Sequence, residues 1–429
     1  MMLRSLGLTL LAALSLAGSA WSQDSGQTAL PASALFERET VTGEWLGARP
    51  LLEDRGVSLF GSYTCEVWGN TTGGLKTGSV YTGLLEFGAE VDLEKLAGWS
   101  GGSVGTSWLW LSGRDASEDL VGNFLTISNI AGFNTLRMME LWFQQNFLED
   151  KISLRLGNIT ADSEFLVSDY GGLFINSGFG WPALASMNMA GGGAAYPTGG
   201  LGARVALEPT DWLGFRSGVF LTNLIPQNIN RAGFRWDLNS KQAVTWMNEL
   251  CFSHGTGEGS QTLPGFVKAG MWLQTGAEAN ALDPESGLPN TGFYLLADQM
   301  LLPERAADGS IGDEGLGAFA GLGFTPPDRN AVDFYLNTGV TYKGLIPGRD
   351  ADTCGVACGL ASPSHGADAD LRDEGLAPQA AEIVLEATYQ CVIAPWCFVQ
   401  PDIQYIINPG ATSATGNALV LGARFSVVF

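Results

Sequence analysis

The sequence predicts an all-β protein, a transmembrane antiparallel β-barrel. Three observations predict it. Apolar and polar residues alternate with period two over segments of roughly ten residues separated by Gly, Pro, Asp and Asn turns. The 429 residues include 58 glycines and 13 tryptophans, yet only 15% are charged. The chain also opens with a segment of exported type.

Met1 to Ser22 reads MMLRSLGLTLLAALSLAGSAWS, with a basic Arg4, an apolar run from Leu6 to Ala17, and a small-x-small Ala20-Trp21-Ser22 site before Gln23. These are the parts of a secretory signal peptide. A membrane anchor is the alternative, but the run is short for a span of about 20 residues and no stop-transfer charges follow. Beyond residue 22 no stretch reaches about 18 consecutive apolar residues, so helices cannot supply the membrane crossing. Residues 23–40 read as a lead-in, and 41–429 as one barrel without internal repeat.

Composition excludes other classes. Hydrophobic residues make up 45% of the chain and aromatics 10%, which excludes disorder. His254 and His365 are its two histidines, so a multi-histidine metal site is excluded. Lys plus Arg number 22 against 44 Asp plus Glu, a formal charge of -22 with no basic block, which argues against nucleic acid as a partner. No cofactor is expected.

The strands read most clearly from the C-terminus. Leu419, Leu421, Ala423, Phe425, Val427 and Phe429 share one face; Val420, Gly422, Arg424, Ser426 and Val428 share the other. In 398–407, Val399, Pro401, Ile403, Tyr405 and Ile407 oppose Gln400, Asp402 and Gln404. Before it, Ile383, Leu385, Ala387 and Tyr389 oppose Glu382, Glu386, Thr388 and Gln390. The pattern recurs at Val267–Leu273, Ile152–Leu156 and Gly339–Lys343. A half-buried strand of a soluble sandwich alternates in the same way. Sparse charge, aromatics near strand ends (Phe398, Tyr405, Phe425) and the terminal Phe429 favour the membrane. At about 22 to 26 residues per strand with its loop, the length gives 16 or 18 strands, the even numbers in that range. Either number leaves an aqueous channel.

Several stretches resemble the carbohydrate-selective porins of Gram-negative outer membranes (OprB-type). Thr42 to Gly56 reads TGEWLGARPLLEDRG and Ser62 to Asn70 reads SYTCEVWGN. Gly88 to Trp99 reads GAEVDLEKLAGW, Leu136 to Phe147 reads LRMMELWFQQNF before ISLRLGNITADSEF, and Phe174 to Trp181 reads FINSGFGW. Val399 to Phe429 is similar to the family's last two strands. The resemblance implies a 16-stranded barrel that passes monosaccharides such as glucose passively into the periplasm. It also implies an eyelet built near a Ser-Gly-Arg strand end, which Ser112-Gly113-Arg114 resembles. Leu111 stands where the family typically has a further Arg, and the next charges are Asp115, Glu118 and Asp119, with no basic residue before Arg137. Either this eyelet is less basic, or its second cation comes from elsewhere, such as Arg155. Residues 115–135 are expected to fold inward as the constriction.

A sugar path needs polar groups that replace water and aromatic faces that cover the ring. Strand parity sets Glu140, Trp142 and Gln144 towards the lumen and Met139, Leu141 and Phe143 away from it. Trp142 is then a sugar platform or an interfacial girdle residue. Arg155, Asp402, Gln404, Glu382, Glu386 and Arg424 also face the lumen by parity, as sugar contacts or solvated wall residues. The pair Glu382 and Glu386 lies about 13 Å apart along a strand, beyond the roughly 5–9.5 Å used by glycosidases, and neither histidine has a catalytic context, so an enzyme is not expected.

The cysteines are Cys65, Cys251, Cys354, Cys358, Cys391 and Cys397. Cys391 and Cys397 flank a hairpin turn and could bridge it. Cys354 and Cys358 could pair in a loop but not in a strand, which the family pattern favours there. Loops around 276–291 and 362–380 are expected outside the cell. The expected partners are small neutral sugars and outer-membrane lipid, with the protein a monomer or a homotrimer. The alternatives are a general diffusion porin and, in another class, a secreted soluble carbohydrate-binding or hydrolysing β protein.

Overall fold

The structure is a computed structural model describing residues 36–429 except 237, 239–241, 256–261, 277, 284 and 306–310. The leader reading of residues 1–22 lies outside the described residues. Residues 39–429 form one compact unit.

Sixteen strands build that unit. They are β1 Val57–Gly74, β2 Gly78–Asp92, β3 Gly102–Gly113, β4 Thr135–Phe147, β5 Ile152–Ile159, β6 Gly200–Thr210, β7 Leu213–Leu221 and β8 Val244–His254. There follow β9 Gly265–Thr275, β10 Asn290–Arg305, β11 Ile311–Phe324, β12 Val332–Lys343, β13 Thr353–Pro363, β14 Glu382–Ala394, β15 Cys397–Ile407 and β16 Gly416–Val428. Each pairs antiparallel with its sequence neighbour, and β16 closes on β1. The closing register sets Glu66 opposite Arg424 and Val67 opposite Ala423. Closure matters because an open edge would leave backbone amides unpaired in hydrocarbon. The number is sixteen, not eighteen.

The two faces sort as the alternation requires. On β14 and β15, Glu382, Val384, Glu386, Gln400, Asp402 and Gln404 are buried inside. Their neighbours Leu385, Ile403 and Tyr405 stand exposed outside, where lipid takes the place of water. Exposed aromatics ring both ends: Trp110, Trp246, Phe293 and Phe324 at one, Phe60, Trp99, Phe147 and Trp212 at the other.

β4 departs from simple parity. A bulge between Ser107 and Trp108 in its pairing with β3 inserts one residue at Met138–Met139. Beyond the bulge Glu140, Trp142 and Gln144 point inward as expected. Met139, expected outside, instead packs beside Leu84, Leu109, Leu111 and Ile130 in the lumen.

Connections alternate in length between the ends. Turns 148–151, 211–212 and 395–396 lie at the end where β1 starts and β16 stops. Segments 114–134, 160–199, 222–243, 276–289 and 364–381 lie at the other, so both loops expected outside fall together. The last of these holds a short helix, His365–Asp373, whose N-terminus is capped by Ser364 Oγ accepting from the Ala367 amide at 3.2 Å.

Cys354 and Cys358 both lie in β13, which forbids their bond. The bridge expected to be open to Cys391 and Cys397 is absent, and all six cysteines are free. Cys391 Sγ instead accepts from Arg349 at 3.0 Å.

A charge on the lipid face should be expensive. Leu421→Arg, near the middle of β16, is expected to destabilise the barrel by about 2–4 kcal/mol, read as a shifted urea midpoint for folding into phospholipid vesicles.

Candidate functional site

Segments 114–134 and 160–199 do not stand outside the barrel; they turn into its lumen. Wall side chains hold them by their backbones. Glu382 accepts from the amides of Leu125 (2.7 Å), Phe124 (3.1 Å) and Gly410 (2.6 Å). Glu386 accepts from Ile175 (2.6 Å) and Asn176 (3.0 Å). Asp298 takes the Tyr170 amide and the Ser168 hydroxyl, and Glu249 takes the Leu166 amide. Neutral groups continue the pattern: Gln404 donates to Ile127 O, Gln400 to Leu173 O, and Gln274 accepts from the Ala190 amide. Asn176 joins the two segments, donating to Leu125 O at 2.9 Å and to Gln404 at 3.0 Å. Buried loop backbone must find such partners, since water is excluded.

Apolar packing completes the hold. Leu125, Ile127, Phe174, Ile175 and Phe179 are fully buried in one cluster with Trp68, Phe319, Val384 and Ile406 of the wall. The segments thus fill the side of the lumen walled by the later strands.

Two cavities border the inward segments, and a third hollow of about 390 Å³ opens on the lumen face at the short-turn end beside Lys151, Glu208 and Arg216. The larger, about 510 Å³, lies against β2, β3 and β4 and is bordered by Glu86, Ser128, Asn129, Asp162, Trp181 and Tyr196 among others. Its volume is that of a small-molecule site. The smaller, about 280 Å³, lies towards the short-turn end and is bordered by Asp169, Asp313, Lys343 and Gln390. Gly172 borders both. Two further hollows, of about 550 and 590 Å³, lie over Val340, Val356 and Ala387 on the outer, lipid-facing surface and belong to no path through the barrel.

Around the larger cavity, Tyr196 donates its hydroxyl to Ile130 O (2.7 Å) and its amide to Asp162 Oδ2 (2.8 Å). Burial pushes the Asp162 carboxyl up to about 6, against the pull of that amide. Its Oδ1 has no hydrogen-bond partner. Arg424 bridges Glu66 at 2.7 Å and reaches Asn129 at 2.5 Å, tying the barrel seam to the inward segment.

The residues singled out by sequence fall into four places. Arg114 and Asp119 form a pair at 2.5 Å where the first inward segment leaves β3, and this contact holds the Asp119 carboxyl below its usual range. Glu118 is exposed beside them. None of the three borders either cavity. Lower on the wall, Trp142 lies over Gly105, where a Cβ would fall 2.2 Å from the indole. The Arg155 guanidinium covers its ring at 4.4 Å. Gln144 accepts from Arg155 (2.9 Å) and Arg204 (3.2 Å), and both arginines share Glu164. Glu140 is engaged by the amide and hydroxyl of Thr160. Asp402 and Gln404 form the third place, bonded to each other at 3.1 Å behind the inward segments. Arg424 is the fourth, at the seam. Missed by sequence were Glu86, which strand parity in β2 could have given, and Asn129, Asp162, Trp181 and Tyr196, which lie in loops with no period to read.

Comparisons with known proteins agree with this architecture. The family described as "Carbohydrate-selective porin, OprB family" matches residues 76–429. Porin B of Pseudomonas aeruginosa is 26% identical over 431 residues, covering 91% of each chain. A putative porin, QuiX, of Acinetobacter baylyi is 24% identical over 97% of this chain and 96% of its own. Among solved structures, the high-pH form of Pseudomonas putida OprB superposes with a TM-score of 0.80 at 23% identity, covering 92% of this chain and 99% of that one.

Removing one clamp should loosen one inward segment. Glu382→Ala leaves three amides without their acceptor, at about 1–3 kcal/mol for each that stays buried. Faster hydrogen exchange confined to residues near 124, 125 and 410 is the expected result, with noisier single-channel current.

Proposed function

The chain belongs to the carbohydrate-selective porin (OprB) family of Gram-negative outer-membrane channels, not to an enzyme family, and on that premise we propose that it passes monosaccharides such as glucose passively into the periplasm. The observation that supports this reading is the larger lumen cavity. Hydroxyl, amide and carboxylate groups of Ser128, Asn129, Asp162 and Glu86 stand beside the aromatic rings of Trp181 and Tyr196. A pyranose presents hydroxyls that exchange hydrogen bonds one at a time and an apolar face that covers an aromatic ring. Weak, multiple contacts allow release, and no energy coupling is required.

In this reading the long-loop end faces outside the cell, as in outer-membrane barrels generally. The residues 1–22 serve as the leader that exports the chain. Arg114, Glu118 and Asp119 receive solute at the outer rim, while Glu140, Trp142, Gln144 and Arg155 line the wall below. Gln404, bonded to Asp402, acts on sugar through the segment it holds at Ile127. Trp142, with one face under Arg155, serves as a wall residue first and a sugar platform second.

Saturable block of single-channel current by glucose in a planar bilayer is the expected result. Trp181→Ala should weaken that block by about three- to tenfold, matching an aromatic contact of about 0.5–1.5 kcal/mol. Open channels indifferent to every sugar would make it a general diffusion pore.

A further inference from the structure

Charge is distributed unevenly along the remaining path. Glu86 and Asp162 border the larger cavity, and no Lys or Arg does. Asp169, Asp313 and Lys343 border the smaller one, and Lys343 is paired with Asp313. Neither Glu86, Asp162 nor Asp169 has an ion-pair partner among the described residues.

Most nearby arginines are engaged by acids of the wall. Arg155 and Arg204 share Glu164, Arg424 is bound to Glu66, and Arg216 lies 3.8 Å from Glu249. Lys268 donates to Val167 O at 2.7 Å and borders neither cavity. Arg137 has no acid partner, but it is buried to 2% exposure beside the Phe133 ring and also borders neither cavity. Gly172 borders both cavities, and a Cβ there would find nothing within 4 Å. Carboxylates without an ion-pair partner among the described residues therefore border both cavities, Glu86 and Asp162 the larger and Asp169 the smaller.

We propose that this channel has a second filter, by charge: it favours cationic solutes, protonated amino sugars among them, over neutral sugars and more strongly over sugar acids. Carboxylates along a narrow wall of low dielectric raise the local concentration of cations and lower that of anions without holding an ion in a fixed site. The inference rests on the sugar-channel reading for its solutes, but its sign can be measured with salt alone.

The test is the zero-current potential of the full barrel in a planar bilayer under a KCl gradient. A preference for K⁺ is expected. The isosteric triple variant Glu86→Gln, Asp162→Asn, Asp169→Asn should lower the K⁺ to Cl⁻ permeability ratio by about two- to threefold, with folding checked by heat-modifiable gel mobility. In proteoliposomes, glucosamine should enter faster than glucose and glucose faster than glucuronate, with the order flattened in the variant. A Cl⁻ preference, or a ratio unchanged in the folded variant, overturns the charge filter. K⁺ preference lost in the variant supports it whether or not glucose blocks the current, so failure of the sugar reading is seen separately.

Discussion

The interior of this barrel depends on carboxylates of the wall accepting hydrogen bonds from loop amides. A strand that faces lipid on one side has only its other side on which to place polar residues, so Glu382, Glu386, Asp298 and Glu249 must point inward. Once inside, each needs donors, and the backbone of segments 114–134 and 160–199 needs acceptors. The two needs meet: Glu382 and Glu386 together take five amides. These bonds give the segments a fixed course across the lumen, and that course leaves the larger cavity beside β2, β3 and β4.

The same economy explains why the path is lined as it is. Acids with both oxygens on loop amides are withdrawn from solute, and so are arginines that share Glu164 or Glu66, whereas Asp162 holds an amide with one oxygen only. What stays available is a small set: a few aromatic rings, some hydroxyl and amide groups, and carboxylates without an ion-pair partner among the described residues. Lumen chemistry in this fold is the remainder after structure has taken its share, which is why facing the lumen is a poor guide to touching a solute.

That distinction separates what the sequence discloses from what it hides. The strands at 382–394, 397–407 and 416–428 are legible because lipid enforces a strict period of two. The inward direction of Asp402, Gln404 and Arg424 follows from the same rule, and the structure agrees. Their partners do not follow: Gln404 meets Ile127 and Arg424 meets Asn129 across most of the chain length, contacts without any local pattern. One inserted residue at Met138–Met139 was enough to turn Met139 from the lipid side to the lumen. Asp162 and Tyr196 sit on an irregular segment whose position only the wall contacts decide. The family's short motifs were legible as well, and Arg114 with Asp119 does mark the start of an inward segment, though neither borders the two cavities.

On the proposed function, sugar travels through the space left by the clamped segments. Crystals of the purified barrel soaked with a bromine-labelled glucose, measured at the bromine edge, test it directly. Anomalous density is expected in the cavity bordered by Asn129, Asp162, Trp181 and Tyr196. Density confined to the outer mouth or to the smaller cavity, with the larger one empty, would contradict it.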